Sequence, residues 1–189
     1  MATFSRQGLI AELLDRTELL KANTKPFIRL TDEQLLCRPA PGKWSIAEIY
    51  RHLDLSLDQY IRSILSRIAL APDHPVDTYH SGWLGELIYE RIMPRSDGSV
   101  FKLKAIAAHL PNAASPDARE ALEAFERHCD ALDDILRHVS TKDLQSIRIP
   151  VHSNRLIRLR LGDVLRIMVA HGERHLLQAQ RLAAIPATI

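Results

Sequence analysis

Aromatic residues make up 5% of the 189-residue chain, so aliphatic side chains must fill its core. Seven glycines are few for this length. With many Leu and Ala, that disfavours a turn-rich sandwich and favours helices. The two cysteines, Cys37 and Cys129, lack metal-site spacing and read as reduced thiols of a cytoplasmic protein. No run approaches the roughly 18 apolar residues of a membrane span, and no charged-then-apolar leader pattern opens the chain. No membrane partner is expected. Charge is nearly balanced, with 25 Lys and Arg against 23 Asp and Glu. A net +2 is not the footprint of a nucleic-acid binder, so no nucleic-acid partner is expected either.

What is present is helical periodicity. A chain of this length, 46% hydrophobic, suits one domain over residues 1–189 with a sizeable core. Leu9, Leu13, Leu19 and Leu20 predict a first helix from Ser5 to Lys21, with Ser5 as cap. Pro26 ends or kinks it, and Phe27, Ile28 and Leu30 continue the helix or its packing. Thr31–Gln34 reads as a capped turn.

After the breaker-rich Arg38–Gly42, Ser45-Ile46-Ala47-Glu48 is a capping box opening a second helix that stops near Ala71, before Pro72. Residues 72–115 hold four prolines and one short helical segment, Leu84 to Ile92. This long crossover reads as a lid or packing cap, with His74, His80 and His109 solvated. A third helix from about Pro116 to Val139 buries Leu122, Phe125, Cys129, Leu132 and Leu136 and leaves His128 and His138 exposed.

Extended segments at Ile147–Val151 and Leu156–Arg160, turning at Ser153-Asn154, predict a small hairpin with a solvated arginine face. The architecture expected is all-α: a four-helix bundle with a long crossover segment and a small hairpin before the last helix.

That last helix carries the chemistry. Leu161, Val164, Leu165, Met168, Leu176, Ala179 and Leu182 keep a spacing of three and four. His171 and His175 fall in phase with them, one turn apart. His52, beside Ile49 and Leu53, borders the buried face of the second helix. Helices of a bundle bring such side chains together, and three imidazoles with one open position suit Zn²⁺, Ni²⁺ or Fe²⁺. Nine histidines in 189 residues give roughly 0.4 chance pairs at this spacing, so a motif match alone carries a high false-positive risk. The residues alone leave a metal site and satisfied core histidines both open. No motif places a buried carboxylate as general base. Glu173 and Arg174 point away from the histidine stripe, into solvent. Trp44 reads as a packing anchor and Glu48 as a cap with a possible orienting role toward His52; Gln178 is either a ligand-orienting amide or a surface one.

Two segments carry a resemblance. Pro41-Gly42-Lys43-Trp44-Ser45-Ile46-Ala47-Glu48-Ile49-Tyr50-Arg51-His52-Leu53 is similar to the second-helix signature of the DinB-like superfamily, with Trp-Ser before a capped helix and a histidine seven residues after the serine. His171-Gly172-Glu173-Arg174-His175-Leu176-Leu177-Gln178 resembles its last-helix signature. The resemblance implies a divalent metal on His52, His171 and His175. It also implies a metal-dependent enzyme acting on a small molecule, either a low-molecular-weight-thiol S-transferase or a hydrolase, and a possible homodimer. A non-catalytic metal-binding stress-response protein is the alternative. Any histidine site should bind metal less well in acid.

Overall fold

Side-chain caps open the first three helices. In the computed structural model, which describes residues 1–95, 98–101, 109–111, 117–151 and 154–184, these are α1 (Arg6–Thr24), α2 (Asp32–Leu36) and α3 (Ile46–Ile68). Ser5, Thr31 and Ser45 accept from the N–H groups of Gly8, Gln34 and Glu48. Each satisfies a backbone donor that the first turn leaves without a partner. After α4 (Trp83–Ile92), Asp117 caps α5 (Ala118–His138) in the same way, and α6 (Leu161–Ala183) follows.

The four long helices are α1, α3, α5 and α6. Both α1 and α3 pack against α5 and α6, which closes the bundle, and α4 lies along α6. Leu13, Ile49, Leu53, Phe125, Leu136 and Leu165 belong to one continuous apolar core. Cys129 is buried in it, as its helical phase predicts.

The boundaries differ from the sequence reading in explicable ways. α1 runs three residues past Lys21, to Thr24. A 3-10 turn, Lys25–Arg29, then takes Pro26 in its first turn and buries Phe27, while Ile28 stays exposed. α3 ends at Ile68, short of Ala71. Pro116 lies outside the described residues, and α5 passes into a 3-10 turn at Val139–Thr141.

Among the described residues, two small antiparallel sheets accompany the helices. β1 (Thr3–Ser5) pairs with β2 (Thr78–His80), setting Thr3 opposite His80. β3 (Arg148–Val151) pairs with β4 (Asn154–Arg160), setting Ile149 opposite Leu159. The second is the expected hairpin, although Ser153 of its turn lies outside the described residues. Ile149 and Leu159 face the core, and Arg148 and Arg158 face solvent. The first pairing was not anticipated, because three residues are too short for an alternation to register.

Every residue from Leu161 to Ala170 is buried, since α4 and the β3–β4 hairpin cover the side of α6 that the bundle leaves open. Two glycines make this possible. A Cβ on Gly162 would lie 2.5 Å from the Tyr79 ring, and one on Gly85 would lie 2.2 Å from the Asp163 carboxyl carbon. Asp163 accepts from the Tyr79 hydroxyl at 2.5 Å and from Gly82 N–H at 3.0 Å. Gly162→Ala therefore overpacks a site with no slack and should cost roughly 1–3 kcal/mol. A urea midpoint equal to wild type would contradict this contact.

Candidate metal centre

The Ser45–Glu48 capping box fixes where α3 begins. Ser45 Oγ accepts from Glu48 N–H at 3.2 Å, and Glu48 Oε2 accepts from Ser45 N–H at 2.9 Å. His52 follows two turns later, between the fully buried Ile49 and Leu53. On α6, His171 and His175 are one turn apart, so both rings project from one face. The α3–α6 contact brings the three imidazoles together.

Their Nε2 atoms converge. His171 Nε2 lies 3.2 Å from His52 Nε2 and 3.0 Å from His175 Nε2. Each Nδ1 meets an oxygen on the far side of its ring. His52 Nδ1 lies 2.7 Å from the His109 carbonyl, which can only accept, so Nδ1 carries the proton. Ser56 Oγ gives its proton to the Leu53 carbonyl at 3.1 Å, which leaves it an acceptor for His171 Nδ1 at 3.5 Å. His175 Nδ1 donates to Gln178 Oε1 at 3.1 Å. The three Nε2 lone pairs then face one another with no proton among them.

Burial keeps the rings neutral. It holds His52 below the usual histidine range, and it holds His171 well below that range, with its two histidine neighbours adding to the effect. Burial, then proximity to His52, pushes His175 down to about 3.

This donor set fits a divalent ion. Three neutral imidazoles supply the ligand type that Zn²⁺, Ni²⁺ and Fe²⁺ accept. Tetrahedral bonds of about 2.05 Å would set ligand nitrogens about 3.3 Å apart, close to the spacings seen. Orienting oxygens behind each ring are the usual support of a histidine metal site.

The cluster opens into a cavity of about 580 Å³. Trp44 forms one wall, its ring 4.9 Å from that of His52 and 6.3 Å from that of His175. Ile88, Ile92, Leu110 and Ile167 make the lining largely apolar, and no carboxylate belongs to it among the described residues.

Several expectations need correction. His109 is buried rather than solvated, because it lies against α3, where its carbonyl meets His52 and its Nε2 meets Gln59 Oε1 at 3.0 Å. Arg174 is not a solvated surface residue: it lines the cavity, and its guanidinium donates to the carbonyls of Ile92 and Phe101. Glu173 is held by Arg16 of α1 through two hydrogen bonds of 2.7 and 2.8 Å. His128 is half-buried and bonded to Asp54 at 2.8 Å. Glu48 spends its carboxylate on Ser45 and Arg38, which makes it a cap and an ion-pair partner. The hydrogen bond to Arg38, against the cost of burial, keeps its pKa below the usual glutamate value. His74, His80 and His138 are exposed, as expected. The roles of His109 and Arg174 had no local signal in the sequence, since both depend on where the crossover passes.

Comparison with known proteins agrees with this architecture. YfiT from Bacillus subtilis, described as a probable metal-dependent hydrolase with an unusual four-helix bundle topology, superposes with a TM-score of 0.60 at 16% sequence identity, covering 95% of this chain and 87% of YfiT. No curated protein matches the chain. Among the described residues no helix is long and apolar enough to cross a membrane. The DinB superfamily model matches residues 16–179, and the chain belongs to that superfamily.

Proposed function

We propose that this protein is a metal-dependent enzyme in which His52, His171 and His175 hold a divalent ion beside an apolar substrate cavity. The observation that carries this reading is the convergence of three Nε2 atoms while each Nδ1 faces an oxygen on the other side of its ring. A bound ion would supply Lewis acidity, lowering the pKa of a water or thiol that reaches it. The chain's own residues do the rest. The His109 carbonyl, Ser56 and Gln178 fix the ring orientations. Trp44, Ile88 and Ile92 line the site with apolar surface, which lowers the local dielectric and so raises the weight of every charge inside.

Two reactions suit the site: hydrolysis, and transfer of a low-molecular-weight thiol to an electrophile. Hydrolysis has the fold likeness to YfiT in its favour. Thiol transfer has the cavity's composition. Water needs a base to take its proton, and no carboxylate lines the cavity among the described residues. A thiol, with an ordinary pKa of about 8.5, needs far less help. We therefore favour thiol transfer. A purely structural ion is disfavoured by the open cavity, since structural sites are closed by protein ligands.

The test begins with elemental analysis of wild type, His52→Ala and His171→Ala. Near-stoichiometric Zn, Ni or Fe should appear in wild type and be lost in both variants. Loaded and chelator-stripped wild type are then given a haloarene with a small thiol, and separately an activated ester in water. Conjugation should collapse on stripping, and ester hydrolysis should stay near background. Equal conjugation rates with and without metal would refute the transferase reading, and metal-dependent ester hydrolysis would make the protein a hydrolase.

A further inference from the structure

Among the described residues, no carboxylate balances the charge of Arg174. Its Nη1 donates to the Ile92 carbonyl at 3.4 Å and its Nη2 to the Phe101 carbonyl. Both acceptors are neutral. Arg16 meets Glu173, Arg166 meets Glu86 through two hydrogen bonds, and Arg38 meets Glu48. Arg174 meets no carboxylate among the described residues, although it is partly buried on the cavity wall. A cation withdrawn from water without a partner is costly, so its surroundings favour an incoming anion.

The rest of the cavity points the same way. The three histidines are neutral ligands, so they leave the charge of a bound ion uncompensated. The lining adds no negative charge among the described residues. What it does add is aliphatic surface from Ile88, Ile92, Leu110 and Ile167. A volume of about 580 Å³ is within the usual range for small-molecule sites.

We propose that Arg174 is the anion anchor of this cavity and that the substrate is an organic carboxylate: an apolar body with one carboxylate, received by the guanidinium fork beside the metal centre. A carboxylate is the partner whose two oxygens match the planar donor pair of arginine. The inference rests on the metal-dependent reading above for its chemistry, but the anchor itself belongs to the chain. Arg174 touches the substrate without taking part in bond making.

The test is calorimetric titration of the full chain, zinc-loaded and metal-free, with 4-phenylbutyrate and its neutral isostere 4-phenylbutyramide. Wild type, Arg174→Gln, Arg174→Lys and the surface control Arg62→Gln are compared. In wild type and Arg62→Gln the carboxylate should bind about tenfold or more tightly than the amide, as a charge-assisted hydrogen bond warrants. The preference should shrink to about threefold or less in Arg174→Gln and remain partly present in Arg174→Lys, which keeps the charge but loses the fork.

An unchanged preference in Arg174→Gln would overturn the proposal, because the ion or another group would then be holding the anion. Equal binding of both probes to wild type, or no saturable binding of the carboxylate, would overturn it too. Should Arg174→Gln fail to fold by circular dichroism, the Arg174→Lys comparison decides, with a full wild-type preference counting against the fork. The two readings separate cleanly. A protein that holds no metal yet loses carboxylate preference in Arg174→Gln keeps the anchor and discards the metal. A metal-loaded protein indifferent to Arg174 does the reverse.

Discussion

His171→Leu should abolish metal-dependent stabilisation while leaving the metal-free protein slightly more stable than wild type. Wild type given free zinc at a thousandfold excess over its Kd should gain about 4 kcal/mol, because the ion binds the native state and not the unfolded chain. In a protein of this size that is a rise in Tm of roughly 8–16 °C. His171 is the middle ring of the three, within 3.2 Å of both others, so its loss leaves two ligands that no longer form a site. The opposite sign in the metal-free form follows from the same geometry. Three lone pairs face one another in a largely buried cluster, and a cation relieves them best. Replacing the middle ring by an aliphatic side chain removes that conflict and should return about 1 kcal/mol. Thermal melts in chelator and in zinc measure both effects. A zinc-dependent shift that survives in the variant would sink the three-histidine assignment. So would a metal-free variant several kcal/mol less stable than wild type. A site that is worse for stability than its replacement is the usual mark of one kept for function.

Acid should remove the metal late. An exposed histidine site gives up its ion as pH falls through about 6.5. Here burial holds His52 and His171 below that value and His175 at about 3. Protons therefore compete weakly in the folded protein, and zinc should stay bound below pH 6.5 and leave as pH nears the depressed values. The metal-free protein pays for the same depression in stability. Below pH 6.5 the unfolded chain takes up protons that the folded chain refuses, so stability falls as pH drops from about 6.5 toward about 3. Equilibrium dialysis of zinc between pH 7.5 and pH 3 checks the first expectation, and urea midpoints of chelated protein check the second. Half the zinc lost by pH 6, or a flat stability curve across this range, would contradict the buried, neutral site.

The fold was legible in the sequence wherever a periodic signal ran for several turns. Ser45 with Glu48, the stripe through Ile49 and Leu53, and the apolar run from Leu161 each named a helix and the face it would bury. That is why His52, His171 and His175 could be proposed to meet. Parts that depend on long-range chain placement were not legible. Thr3–Ser5 finds its strand partner at residues 78–80, and three residues show no period. His109 sits in a proline-containing crossover and owes its burial to the helix beneath it. Arg174 looked solvated because its helical phase points away from the stripe, yet the chain at Ile92 and Phe101 passes over that side and turns it into cavity wall. A helical wheel shows which way a residue points, but not what will arrive there.

The glycine contacts at the start of α6 also act as a vernier. Asp163 against Gly82 and Gly85, and Gly162 against the Tyr79 ring, fix the axial position of that helix. The first histidine of the α6 pair lies eight residues further on, about 12 Å along the axis. A slip of one turn, about 5.4 Å, would put His175 where His171 stands and Ala179 where His175 stands, leaving two rings of the three. Imidazoles four residues apart tolerate no such ambiguity, and the apolar stripe of α6, which nearly repeats every turn, cannot by itself forbid it. The alignment of the three-histidine cluster is therefore set near the start of the helix, by residues that never touch it.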